Sequence, residues 1–177
     1  MAHFLIKNIL YEFSFAGFMA GSHYSHSGAA AEPICLPEDP TWDHFTPGNQ
    51  DVGSHLYGAE YEFDDRNRVE YFGKEIHNQD VPCVVCRAMR STILMVPGRT
   101  ACYDSWSQEY RGYLAAGYHA HAAASHFVCI DKEAEAVRGG SGDDDGYLLY
   151  FVEAMCGSLK CPPYVEGQEL ACVVCSK

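Results

Sequence analysis

The sequence predicts an all-β or β-rich fold, stapled by disulfides and laid out as a pseudo-two-fold tandem repeat of short strands. Three observations carry this. The 177 residues include nine cysteines, a usage typical of small secreted domains and rare in reduced cytosolic ones. The apolar runs are short, alternating or β-branched, and turn dipeptides separate them. One set of landmarks also occurs twice in the same order. Gly17, Cys35, Tyr57, Glu60 and Cys83-Val84-Val85-Cys86 are followed by Gly112, Cys129, Tyr150, Glu153 and Cys172-Val173-Val174-Cys175. The glycine-to-cysteine gaps are 18 and 17 positions, and the cysteine-to-glutamate gaps are 25 and 24. A recurring period sets architecture before any single element does.

In chain order, Phe13, Phe15 and Gly17 match the stretch ending Tyr110 and Gly112, so the N-terminal region, Met1 to Ala20, is expected to belong to the fold. Ser54 to Phe63 alternates around Leu56, Tyr57, Ala59, Tyr61 and Phe63. Ser91 to Val96 is an apolar run closed by Pro97-Gly98. Ser125 to Ile130 and Tyr147 to Val152 are rich in β-branched and aromatic residues. Val81 to Val85 and Leu170 to Val174 read as buried strands. Ala115 to Ala124 is alanine-rich, but Gly117 interrupts it and no sustained helical period follows. Glu38 to Gly53 reads as a surface loop, and Arg138 to Gly146 as a mobile one. Arg87 to Ser105 carries its own apolar strand, so the chain is one domain, 1–177, of two pseudo-repeats (about 12–86 and 99–177) sharing a core.

Hydrophobic residues make up 47% of the chain, which permits a core, and 12 basic against 24 acidic residues give a net charge of −12. That balance repels phosphate backbones, and the basic residues form no stripe, so no nucleic-acid partner is expected. No run reaches the roughly 18 apolar residues of a membrane span, so no membrane insertion is expected. Met1 to Ala20 is apolar but interrupted by Lys7 and Glu12, and has no basic leading end or small-x-small site. A leader, if one exists, therefore lies upstream. No Asn-x-Ser/Thr acceptor occurs.

The nine cysteines are Cys35, Cys83, Cys86, Cys102, Cys129, Cys156, Cys161, Cys172 and Cys175. Zinc is the rival to disulfides, because each Cys-Val-Val-Cys has a knuckle's gap; valines in that gap, inside an apolar strand, argue against it. In each full unit, two bridges are expected between the early cysteines and the Cys-Val-Val-Cys. The second copy has Cys102 for this purpose and the first has no counterpart. Cys83 or Cys86 is then free or bridged to another chain, and Cys156 and Cys161 pair across their short loop.

Several stretches resemble the C-terminal globular domain of sponge and other invertebrate short-chain (spongin-type) collagens. They include Ala20-Gly21-Ser22-His23-Tyr24, Ile34-Cys35-Leu36-Pro37, Tyr57-Gly58-Ala59-Glu60-Tyr61 and Asp80-Val81-Pro82-Cys83-Val84-Val85-Cys86-Arg87. Further on they include Glu109-Tyr110-Arg111-Gly112-Tyr113-Leu114, Cys156-Gly157-Ser158-Leu159-Lys160-Cys161-Pro162-Pro163-Tyr164 and Glu169-Leu170-Ala171-Cys172-Val173-Val174-Cys175-Ser176-Lys177. The resemblance spans roughly residues 12–177. It implies a secreted, extracellular domain. It also implies similarity to free-standing sponge lectins that bind N-acetylhexosamines, such as N-acetylglucosamine, and assemble as homotrimers. Two departures stand out: the chain has no Gly-X-Y repeat, and it lacks the cysteine that the family carries near the domain start, which puts the pairing of the N-terminal strand in question.

The candidate ligand residues are His23, Tyr24 and His26 in the first copy and Tyr118, His119 and His121 in the second, with Trp106 and Tyr110 upstream. Aromatic faces stack on sugar C–H surfaces, and imidazoles bond to hydroxyl and acetamido groups. The histidine pairs also have a spacing that suits a transition metal, and a loop packed by polar groups explains them equally. Trp42 is expected on the surface. Asp143-Asp144-Asp145 reads as a solvated turn rather than a calcium loop. Glu60 and Glu153 read as structural carboxylates rather than a glycosidase pair. With no nucleophile motif and no phosphate loop, no enzyme activity and no cofactor are expected. The expected function is a secreted, multivalent N-acetylhexosamine lectin; the alternative is an extracellular-matrix assembly module without a small ligand.

Overall fold

Strands dominate the computed structural model, which describes residues 11–28, 30–44, 46–49, 52–63 and 68–177. In order they are β1 (Tyr11–Gly21), β2 (Ile34–Pro37), β3 (Tyr57–Tyr61), β4 (Pro82–Ala88), β5 (Ile93–Pro97), β6 (Ser107–Ala116), β7 (Val128–Asp131), β8 (Tyr147–Phe151) and β9 (Ala171–Ser176). One short helix, α1 (Arg68–Phe72), follows β3. The apolar stretch preceding β1, with Lys7, lies outside the described residues. No helix among the described residues is long and apolar enough to cross a membrane.

The sheet runs β2-β1-β3-β8-β6-β9-β5, with β4 on β1 and β7 on β6. The pairing of β3 with β8 is parallel, at Ala59↔Tyr147, Glu60↔Leu148 and Tyr61↔Leu149; the other strand pairs are antiparallel. The N-terminal strand pairs fully without the missing cysteine: β1 meets β2, β3 and β4.

Around the two landmark sets the registers match. Gly17 faces Pro37 and Cys83, while Gly112 faces Asp131 and Cys172. Each register shifts once, between Phe13 and Phe15 in β1 and between Gln108 and Tyr110 in β6. The glycines are required there: an added Cβ would lie 1.7 Å from the Leu36 carbonyl oxygen at position 17 and 1.7 Å from that of Ile130 at position 112. The surroundings differ, however. β9 lies between β5 and β6, whereas β4 pairs with β1. Val173 is fully buried and Val85 is 37% exposed. The expected burial of both Cys-Val-Val-Cys strands therefore holds for β9 only, because β4 has no second neighbour among the described strands.

The disulfides are Cys35–Cys83, Cys129–Cys172, Cys102–Cys175 and Cys156–Cys161. Cys86 is the free cysteine among the described residues. The strand explains why one motif reaches two partners. Residues i and i+3 of a strand point to opposite faces, so the two cysteines cannot share one zinc or one bridge. Each motif's first cysteine bonds to the adjacent short strand, and Cys175 bonds to Cys102 on the other face. Loop closure gives about 4 kcal/mol for each of the three long bridges and about 2 kcal/mol for the Cys156–Cys161 loop. Four disulfides fit folding in an oxidising, extracellular-type compartment.

The buried core is continuous across the chain: Ala59, Tyr61, Phe63, Phe72, Ile76 and Val81 cluster with Ala115, Ile130, Tyr147 and Leu149. The Phe63 ring lies 4.3 Å from Phe151, tilted against it, and stacks 5.0 Å from Phe72. This packing accounts for α1. Five residues are too few to be helical on propensity alone, but the helix delivers Tyr71 and Phe72 to that aromatic layer. The Glu38–Gly53 region has no strand among its described residues, and Trp42 is 81% exposed. The 138–146 loop, read from composition as mobile, is anchored: Asp80 N–H donates to Gly140 O at 2.9 Å and Val137 N–H to Asp80 O at 3.0 Å.

Candidate functional site

The two histidine clusters begin where β1 and β6 end. Each strand runs into a tight turn: His26 N–H donates to His23 O, and His121 N–H to Tyr118 O, both at 3.0 Å. The adjoining ends of β3 and β8 add Tyr57 and Tyr150. Because β3 and β8 pair in parallel, the two turns come together. Ala123 N–H donates to Tyr24 O at 3.0 Å, and the Tyr24 ring lies 4.5 Å from that of His121.

The result is one run of rings in place of the two separate platforms the repeat suggested. His55 leads to Tyr57 at 6.5 Å, Tyr57 to His23 at 4.9 Å and to His26 at 5.6 Å, and His23 to Tyr24 at 4.6 Å. Beyond Tyr24 the run continues through His121 to Tyr118 at 5.2 Å and Tyr150 at 5.7 Å, and ends at His119, 4.4 Å from Tyr118. Tyr118, His119 and His26 are exposed; Tyr24, Tyr57, His121 and Tyr150 are half-buried.

Behind the rings is a small cleft lined by Ser22, Tyr24, His121, Ala123, Ser125 and Tyr147, among others. Two of its polar atoms are buried without a hydrogen-bond partner: Ser22 Oγ and His121 Nδ1. Such atoms carry a desolvation cost of about 1–3 kcal/mol each, which a ligand group of matching polarity offsets. Burial lowers the His121 pKa, with Asp145 opposing, so its imidazole stays neutral near pH 7 and keeps an acceptor nitrogen. Tyr150 is pushed up to about 12, chiefly by burial and then by Glu62 and Asp145.

Six of the eight predicted ligand residues meet here: His23, Tyr24, His26, Tyr118, His119 and His121. Trp106 and Tyr110 do not. They sit at the opposite end of β6, and a strand rises about 3.3 Å per residue, so its ten residues separate Trp106 from Tyr118 by roughly 30 Å. Trp106 is half-buried, with Lys177 Nζ 5.9 Å over its ring. The Tyr110 hydroxyl donates to Cys129 O at 3.2 Å, and burial pushes its pKa up to about 12.

Sequence reasoning passed over Tyr57, Tyr150, Ser22 and Ser125 as ligand residues. The two tyrosines did leave a signal, since both follow a leucine in the duplicated landmark. Glu60 and Glu153, at matching landmarks, differ in burial: Glu60 is 3% exposed and Glu153 lies at the surface. Glu60 approaches Glu62 and Asp143, one carboxylate oxygen of each lying within 4.8 Å of the others. No protein-family model, curated protein or solved structure matches this chain.

Proposed function

We propose that the chain is a secreted, non-catalytic carbohydrate-binding protein, selective for N-acetylhexosamines and multivalent through a homotrimer. The convergence of both histidine–tyrosine turns into one ring run, backed by a cleft with two unpartnered polar atoms, carries this reading. Tyr118 and Tyr24 offer faces to the C–H surface of a pyranose ring. The cleft has room for about one water, which bridges the acetamido group at its mouth to His121 Nδ1 and Ser22 Oγ. A site this shallow binds weakly on its own, and the oligomer supplies avidity. The duplicated landmarks are read as two copies of one unit that build a single shared site.

The test is agglutination of erythrocytes with inhibition by N-acetylglucosamine, alongside glycan-array binding of the folded protein. The expected result is inhibition by N-acetylated sugars and not by their non-acetylated parents. Agglutination and array binding both absent in folded protein would end this reading.

A matrix assembly module is the second reading. The observation favouring it is one face of β1 and β4, which leaves Phe13 51% and Phe18 43% exposed, with the free Cys86 opposite Phe13 on β4. Assembly without glycan binding would support it.

A further inference from the structure

We propose that Glu60, Glu62 and Asp143 form a binding site for a hard divalent cation, with calcium the best match, and that the ion fastens the 138–146 loop beside the ring run. This inference does not depend on sugar binding.

Each of the three side chains offers a carboxylate oxygen, and these oxygens lie within 4.8 Å of one another. Calcium holds oxygens at 2.3–2.6 Å in flexible geometry, and separations within 4.8 Å fit around it; magnesium, at 2.0–2.1 Å, demands a near-ideal octahedron that an irregular carboxylate set supplies less readily. An all-oxygen donor set also disfavours zinc and copper, which prefer nitrogen and sulfur.

The observation that points to a ligand is Glu60 itself. It is 3% exposed, and its Oε2 is buried with no hydrogen-bond partner. A buried carboxylate oxygen left in this way is costly unless a cation or a proton meets it. The surroundings worsen the cost. Asp80, Asp145 and Glu62 are the acidic groups around it, and the Asp144 backbone N–H donates a hydrogen bond to its carboxylate. That bond also brings the loop to the glutamate, placing Asp143 beside it.

The loop is held at both ends. Asp80 N–H donates to Gly140 O, and Tyr24 N–H donates to Gly146 O at 2.9 Å. Asp143 is thus three residues from a backbone contact with Tyr24, the residue that joins the two turns. An ion at Asp143 would pin the loop that borders His121 and Tyr150, where Asp145 already acts on both.

The test is thermal unfolding of the whole protein in chelator, in calcium and in magnesium, with tyrosine-sensitised terbium luminescence as a direct binding readout. At calcium about tenfold above Kd, with Kd on the order of 10⁻⁴–10⁻³ M, Tm should rise by about 3–6 °C, and by less with magnesium. Asp143→Asn, in an exposed loop, should remove the calcium shift and weaken terbium binding at least tenfold, with Tm in chelator little changed. Glu60→Gln should remove the response as well. Asp104→Asn, at the far end of β6, should retain it. Absence of both a calcium shift and terbium luminescence in the wild type overturns the proposal. So does a response that persists in Asp143→Asn, which decides the matter even if Glu60→Gln fails to fold.

Discussion

β4 and β9 carry the same Cys-Val-Val-Cys in the same register against their long neighbours β1 and β6, yet they end in different environments. β9 has strands on both sides, and its two cysteines are both bridged. β4 has one partner strand among those described, one bridged cysteine and one free one. The motif therefore encodes pairing and not burial. What decides burial is whether a further strand arrives, and in this chain β5 arrives at β9.

The strongest way to break that comparison is to remove the equivalent bridges. Cys129→Ser with Cys172→Ser should cost about 4 kcal/mol of loop entropy and also place serines beside the fully buried Val173. Cys35→Ser with Cys83→Ser removes a loop of similar length, 48 against 43 residues, from a half-exposed strand. Denaturant unfolding should find the first pair the more damaging; equal losses would mean that the difference in burial has no energetic weight.

Next in size are the rings. Tyr24→Ala removes the junction between the two turns, and Tyr118→Ala an exposed face. Each should weaken glycan binding roughly tenfold, which is 1.4 kcal/mol, with Tyr24→Ala also lowering stability. Titration calorimetry against N-acetylglucosamine beside thermal melts would separate the two effects. If only one half's tyrosine mattered, the site would belong to that half alone.

A pH effect should follow from His121. Its pKa is lowered in the fold, so the unfolded chain takes up the proton first. Stability is therefore whole above about 6.5 and is lost as pH falls from there toward the depressed folded value. His121→Phe should flatten that slope between pH 7 and 5 in urea melts, whereas His119→Phe, on the exposed rim, should leave it in place.

The smallest effect is expected at Cys86. Cys86→Ser should shift stability by no more than about 0.5 kcal/mol. One thiol per chain should react, and slowly at pH 7, because burial raises its pKa. Thiol titration finding none would indicate an interchain bridge and favour matrix assembly.

Much of the fold was legible because strand alternation and turn punctuation are local. Ser54–Phe63, Ser91–Val96 and Tyr147–Val152 each cover an observed strand or all but its last residue, and aligning the cysteines narrowed the odd one to Cys83 or Cys86. α1 escaped notice because five residues cannot show a period and its stability comes from rings elsewhere in the chain. For the site, the residue types of each turn were readable, but their union was not. It depends on the parallel pairing of β3 with β8 across almost ninety positions, and such a contact has no local signature. Trp106 and Tyr110 lie apart from the turns because residues spaced along a strand are distant in space.

The bridges of the fold respect a boundary. None of the four links a residue before β5 to a residue after it. Cut between Ala88 and Ser91, ahead of the Thr92–Lys177 backbone pair, the chain would become two separately cross-linked polypeptides. The β3–β8 ladder, the shared aromatic core and backbone hydrogen bonds such as Ala123 to Tyr24 and Asp80 to Gly140 would hold them, and neither piece could cover its half of that core alone. Such fragments should behave as a complementation pair, silent apart and folding on mixing. The junction at β3 and β8 could then be titrated as a binding equilibrium between two chains.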